Sequence, residues 1–260
     1  MTIGAMGTDA QVQLTPQPGS RVAIVGGSGA IGRALVAAAC EHDLQVGVLD
    51  LPASLEAHPP PPGCLRVALD ASVEEPTAAA FACLANQWPG LEGLVNLVGF
   101  SDALRPVEDF DLKSWQRIID GNLSSAFLIS KYGLNLLRQG RQPALVHVSS
   151  TLGVRATEGY GPYSIAKAGM LGLVRMLARE NAPWLRVNAV APSAVDSEFL
   201  TGGTGRTPRP GHLDVAAYGQ QIPLGRIAVP DDIVGPILFL LSPAAGYISG
   251  QTLMVNGGLF

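Results

Sequence analysis

Cysteine is scarce in this 260-residue chain, with only Cys40, Cys64 and Cys83. An odd number at wide spacing makes no disulfide framework. No Cys-x-x-Cys pair exists and the four histidines are scattered, so no metal site is expected. The three cysteines read as buried, reduced thiols. Charge is also sparse: charged residues make up 15%, and the formal net charge is −4. Without a Lys/Arg run, neither nucleic acid nor an anionic membrane finds an electrostatic footprint. Long hydrophobic runs are missing too. The most apolar stretch, "VGPILFLLSPAAGYI", is cut by prolines and falls short of the ~20 residues that a membrane span needs. The first twenty residues lack the basic start and apolar segment of a secretion signal. They read as a flexible tail, and the protein as soluble and cytoplasmic.

What is plentiful is apolar side chain, 47% of the chain, together with 31 glycines. From residue 21 onward, short apolar runs alternate with helix-period segments. "RVAIV", "QVGVL", "LRVAL", "LEGLVNLV", "ALVHVSS", "LRVNAVA" and "QTLMVNG" read as strands. Helical patterns lie between them, including one long helix over 111–139 and another through Tyr163–Glu180. Strict alternation implies βαβ crossovers and a parallel sheet covered on both faces, which explains the near-continuous apolar strands. The expected fold class is α/β: a Rossmann-type doubly wound parallel sheet in three layers, one domain over 21–260. "TGGTGRTPRPGH" (201–212) reads as a Gly- and Pro-rich mobile loop, and the 201–220 loop is expected to close over a substrate.

"IVGGSGAIGRA" follows the first strand and opens the first helix. Glycines there let backbone approach a pyrophosphate, and the helix start supplies N–H groups and a positive dipole end. Asp50 ends the second strand, 24 residues after Gly26, where a carboxylate can accept the hydroxyls of an adenosine ribose and repel a 2′-phosphate. No Arg or Lys stands at Ser28, Gly29 or Leu51 to receive such a phosphate, and Arg33 lies one turn into the helix. NAD is therefore the expected cofactor. Farther on, Tyr163 and Lys167 stand four apart on a helix and share a face. A nearby ammonium stabilises a phenolate, whereas Tyr160 is seven residues from Lys167. Ser149 and Ser150 point to opposite faces of an extended strand, so only one can face the site.

These features together resemble the short-chain dehydrogenase/reductase family of compact, single-domain type. Gly26, Ala30 and Gly32 match its Gly-x-x-x-Gly-x-Gly turn, with alanine in place of the middle glycine. Asp70 in "VALDAS" matches the aspartate that holds the adenine. "NLVG" (96–99) stands where the family has Asn-Asn-Ala-Gly. "VNAVAPSAVDS" and "YISGQTLMVNGG" match the segment beside the nicotinamide and the C-terminal signature. The resemblance selects Ser150, thirteen residues before Tyr163, and implies a catalytic set of Asn122, Ser150, Tyr163 and Lys167. It also implies cofactor contacts from Gly26, Ser28, Gly29, Ala30, Ile31, Gly32, Asp50, Leu51, Asp70, Ala71, Asn96, Val98, Gly99, Tyr163, Lys167, Pro192, Ser193, Val195 and Ser197. In that scheme Tyr163 is the acid–base, and Ser150 binds the substrate oxygen. Lys167 lowers the phenol pKa and binds the nicotinamide ribose, and Asn122 holds a water leading to Lys167.

The implied activity is NAD(H)-dependent interconversion of a small, largely uncharged secondary alcohol and its ketone, in a homotetramer. Reduction of a 3-oxoacyl thioester is the alternative, and a catalytically idle NAD-binding or scaffold protein is the alternative of another class. The basic pair Arg206 and Arg209 is a candidate contact for an anionic substrate group. Tyr160 and Glu158 are candidate pocket borders. His147, on an apolar strand, is expected to be a satisfied core histidine, and Trp88, Trp115 and Trp184 packing residues.

Overall fold

A computed structural model describes residues 12–102, 104–211 and 213–260. The first eleven residues of the expected 1–20 tail lie outside the described residues. Strand β1 (Arg21–Val25) begins at residue 21 and leads into helix α1 (Ala30–Glu41). The chain continues through β2 (Gln45–Asp50), α2 (Pro52–Ala57), β3 (Leu65–Ala68), α3 (Glu74–Gln87) and β4 (Gly93–Asn96). Next come α4 (Leu112–Ile119), α5 (Ser125–Leu137), β5 (Ala144–Val148), α6 (Gly161–Glu180) and β6 (Arg186–Pro192). The last elements are α7 (Val215–Gln221), α8 (Asp231–Leu241) and β7 (Thr252–Val255). The seven strands form one parallel sheet in the order β3-β2-β1-β4-β5-β6-β7.

Both faces are buried. One carries α1 and α8 over Ile24, Val48, Val95 and Val146. The other carries α3, α5 and α6 over Ala23, Leu49, Leu94, Leu145 and Val187. A side chain such as Leu94, fully buried at the sheet centre, contributes about 1.5–3 kcal/mol by leaving water. A Cβ at Gly133 of α5 would lie 2.3 Å from Leu94 Cδ2, so glycine there lets the helix seat on β4. Arg186, opening β6, donates to the carbonyls of Leu240, Leu241, Ser242 and Ala245. It thereby satisfies the C-terminal end of α8. The crossovers leave β1 toward β2 on one side, while β4 lies on the other. The crevice at the carboxyl ends of β1 and β4 is where this topology places a ligand.

Three expectations change. The helix over 111–139 is broken: a π turn at Asp120–Ser124 separates α4 from α5. Asn122 causes a local competition, because its Nδ2 donates to the Ile118 carbonyl four residues back at 2.9 Å. Second, Cys40 and Cys83 are exposed, and Cys64 is half-buried with its Sγ 3.7 Å from that of Cys40. The buried stripes are Leu35, Val36 and Ala39 on α1, and Thr77, Ala80, Phe81 and Leu84 on α3. Cys40 and Cys83 fall one position around from those stripes. Third, α2 arises in a segment that showed no helical signal, started by Pro52 in its first turn. His147 is fully buried, as expected, between Asn96 and Ser130. Trp88 packs in the core against Gly47.

Candidate active site

The glycine turn between β1 and α1 forms without the missing middle glycine. Gly26 has φ +84°, and a Cβ there would lie 3.1 Å from the Leu97 carbonyl carbon. A Cβ at Gly32 would lie 2.4 Å from the Gly26 carbonyl oxygen, so α1 can cross the turn only at glycine. Gly29 has an ordinary φ of −69°, and Ala30 is the first helical residue, a position without steric demand. The first turn of α1 holds no acidic residue, so its positive end is uncompensated.

That end faces a cavity of about 140 Å³ lined by Gly26, Gly29, Ala30, Ile31, Gly32, Asp50, Leu51, Asp70, Ala71, Val98, Gly99 and Ser197. Asp50 Oδ2 accepts from the Ser28 N–H at 2.9 Å, and Oδ1 from the Leu51 N–H at 2.7 Å. Burial raises the Asp50 pKa, and those N–H groups pull it back part of the way. Asp70 accepts from Ser72 N and Oγ, which fixes its carboxylate at the rim. Backbone N–H groups, a glycine cradle with no space for a Cβ, and an anchored carboxylate at a strand end fit the adenosine–pyrophosphate half of a dinucleotide. Ser28 and Asn96 do not line the cavity. Ser28 is buried beneath the turn, and Asn96 is buried behind it, with Oδ1 accepting from Val98 N at 2.9 Å.

A second cavity, of about 460 Å³, shares Ile31, Leu97, Gly99, Ser197 and Phe199 with the first. Ser150, Tyr163, Lys167, Pro192, Ser193 and Val195 line it. Tyr163 sits in the first turn of α6, whereas Tyr160 is the capping residue before the helix. The Lys167 ammonium lies 5.7 Å from the Tyr163 ring centre and donates to the Val148 carbonyl at 3.1 Å and the Val98 carbonyl at 3.5 Å. Ser150 caps a 3-10 turn, its Oγ accepting from Leu152 N at 3.1 Å. Its hydroxyl also acts on the Tyr163 phenol, favouring the anion. Ser149 also borders this cavity, but its hydroxyl donates to the Lys167 carbonyl at 2.9 Å.

Burial is the largest influence on both titrating groups. It raises the Tyr163 phenol above its ordinary value of 10, and it lowers the Lys167 ammonium to about 7. Asn122 Nδ2 donates to the Phe100 and Ile118 carbonyls. Its buried Oδ1 has no hydrogen-bond partner among the described residues. A Cβ at Gly99 would lie 2.7 Å from that Oδ1 and 2.9 Å from Lys167 Nζ, so the two polar groups converge over a glycine.

The rest of the second cavity is largely apolar. Leu104, Leu152, Phe199, Leu200, Leu213 and Tyr218 line it, with Glu158 and Tyr160 at its border. Phe199 tilts against Tyr163 at 5.9 Å between centroids. Neither Arg206 nor Arg209, the candidate contacts for an anionic substrate group, lines this cavity. Arg209 pairs with Asp102 at 2.9 Å, and Arg206 lines the first cavity. Both are carried away by the path of the 199–211 segment. Glu198, which pairs with Arg33 at 2.6 Å, pins the start of that segment to α1. The walls supplied by Phe199, Leu213 and Tyr218 were not evident from sequence, since no local pattern marks them. Among the described residues, no group of three or more His, Cys, Asp or Glu could hold a metal ion. No helix among them is long and apolar enough to cross a membrane.

A sequence profile described as "Enoyl-(Acyl carrier protein) reductase" matches residues 26–260. The chain is 34% identical over 252 residues to an uncharacterized short-chain type dehydrogenase/reductase, y4vI, of Sinorhizobium fredii. That match covers 93% of this chain and 44% of the relative. It is 33% identical to the 3-oxoacyl-(acyl-carrier-protein) reductase of Aquifex aeolicus, over 72% of this chain and 73% of the relative. It is also 33% identical to the cis-4-hydroxycyclohexanecarboxylate dehydrogenase of Sinomonas cyclohexanicum, over 75% and 76%. The solved aldohexose dehydrogenase of Thermoplasma acidophilum superposes with a TM-score of 0.82 at 26% identity, over 93% of this chain and 94% of that one. With a Rossmann-type sheet, the glycine turn and the Tyr163–Lys167 pair in one cleft, the chain belongs to the short-chain dehydrogenase/reductase family of oxidoreductases.

Proposed function

We propose that residues 21–260 form an NAD(H)-dependent dehydrogenase that interconverts a small to medium secondary alcohol and its ketone. The observation that carries this reading is the meeting of Ser150 and Tyr163 in a mostly apolar cavity. That cavity shares its wall with the one that Asp50 closes. The nicotinamide, when bound, supplies or accepts hydride. The protein handles the proton and the geometry. In reduction, the protonated Tyr163 donates to the ketone oxygen while the Ser150 hydroxyl donates a hydrogen bond to the same atom as charge develops. In oxidation the phenolate form takes the alcohol proton. Lys167, with a pKa of about 7, can exchange a proton near neutrality and lies one helical turn from the phenol. Asn122 Oδ1 and Lys167 Nζ converge at Gly99, which makes Asn122 the next polar group on an inward proton path. Asp50 supports NAD over NADP because a 2′-phosphate would meet its carboxylate.

Reduction of a 3-oxoacyl thioester is the second reading, favoured by the Aquifex relative. Purified protein assayed with NAD(H) and NADP(H) against a panel of cyclic and acyclic secondary alcohols, their ketones and a carrier-linked 3-oxoacyl thioester separates the two. Turnover of the alcohol–ketone panel with NAD(H) is expected. Tyr163→Phe is expected to lower kcat about 10²–10⁴-fold and to leave NADH binding in place. Exclusive turnover of the thioester with NADPH would establish the second reading. NADH binding without turnover of any member would instead leave an idle dinucleotide-binding protein. We also propose a homotetramer. Phe127 on α5, Ile165 and Met176 on α6, and Leu253 on β7 expose large apolar side chains on the elements that pair subunits in this family. A monomeric mass in light scattering would refute it.

A further inference from the structure

Three carboxylates line the dinucleotide cavity: Asp50, Asp70 and Glu198, the last paired with Arg33. A dinucleotide brings two further negative charges into it. The start of α1 offsets only about half an elementary charge. Among the described residues, one arginine or lysine lines the same cavity: Arg206, delivered from a segment more than a hundred residues away in the chain. Its guanidinium carbon lies over the Phe100 ring, 4.2 Å from the centroid. Other arginines of this rim are paired: Arg33 with Glu198, and Arg117 and Arg209 with Asp102. Among the described residues, no carboxylate lies within 4 Å of the Arg206 guanidinium, although Asp50 and Asp70 both attract it at longer range. It is therefore a cation set against an aromatic face, with no ion-pair partner among the described residues.

Its placement is built. Ser54 Oγ on α2 donates to the Thr204 carbonyl at 3.1 Å. Gly205, at φ +69°, would place a Cβ 2.4 Å from that Oγ, so this contact requires glycine. On the other side Arg209 ties the segment to Asp102. Arg206 is thus held at the wall of the cavity that the glycine turn, Asp50 and Asp70 also line.

We propose that Arg206 is a cofactor-binding residue that clamps the pyrophosphate of the dinucleotide against the α1 N-terminus, making the 199–211 segment a cover for the cofactor. This rests on the dinucleotide reading above. The guanidinium fork suits two phosphate oxygens, and the Phe100 face keeps it extended for them.

Calorimetric titration of the wild type, Arg206→Gln and Arg206→Lys with NADH, ADP, adenosine and NADPH tests it. In Arg206→Gln, loss of a charge-assisted contact is expected to weaken NADH and ADP about 10- to 100-fold. Adenosine affinity should be unchanged, and Arg206→Lys should recover part of the loss. A thermal melt checks that the variant is folded. Equal NADH and ADP affinity in wild type and Arg206→Gln overturns the proposal. So does an equal loss for adenosine, which would mean ring stacking, or a loss confined to NADPH, which would mean 2′-phosphate recognition. A wild type that binds neither NADH nor ADP would overturn the dinucleotide reading itself.

Discussion

Lowering the pH should strain one buried group more than any other, His147. Its hydrogen bonds run in one direction. Asn96 uses its carbonyl to accept from Val98 N, so its Nδ2 donates to His147 Nδ1 at 3.0 Å. Ser130 gives its proton to the Ala126 carbonyl at 2.7 Å, so its oxygen accepts from His147 Nε2 at 3.1 Å. Only the neutral Nε2–H tautomer satisfies every partner. Burial, aided by the charge of Lys167, pushes the His147 pKa from 6.5 to about 3. The folded state therefore binds fewer protons than the unfolded chain between those two values, and stability falls as pH drops through the window. With these two values, the loss from pH 7 to pH 4 is about 3 kcal/mol from this residue alone. Urea unfolding at several pH values, for wild type and for His147→Gln and His147→Phe, measures it. The variants will differ from wild type in absolute stability. The decisive quantity is the change between pH 7 and 4, which should be smaller in both variants by about 3 kcal/mol. Parallel pH profiles in all three proteins, or an imidazole that titrates near 6.5 by NMR, would refute the reasoning.

Other consequences concern the site. Asp50→Asn removes the charge that faces a 2′-phosphate while keeping an acceptor for a backbone N–H. The ratio of kcat/KM with NADPH to that with NADH should rise about tenfold or more. Gly99→Ala would push a methyl against Asn122 Oδ1 and Lys167 Nζ. Steady-state assays should show kcat reduced about 10²-fold, with little change in the affinity for ADP. Asp102→Ala releases Arg209 and Arg117 together. Limited proteolysis should then cut the 199–211 segment faster, with KM for substrate rising more than kcat falls.

Local chemistry makes much of this protein legible in its residues alone. The parallel sheet follows from apolar runs alternating with helices, because a strand buried on both faces needs no polar alternation. Tyr163 and Lys167 share a helix face because 3.6 residues make a turn, and Asp50 ends a strand one crossover after a glycine turn. Other features depend on chain segments far apart in sequence. Asp102 meets Arg209 across 107 residues, and Ser54 meets Thr204 across 150. Nothing in "TGGTGRTPRPGH" states that its first arginine belongs to the cofactor cleft and its second to an ion pair. The π turn at Asn122 arises only where the side chain has both the Phe100 and Ile118 carbonyls within reach. Sequence by itself determined the fold class and the spacing of the phenol and ammonium, since both are set by repeat periods within one element. The tertiary structure decided which charges face the cleft, and how strongly burial acts on the phenol. Those depend on which distant segments the folded chain brings together and on how much water they exclude.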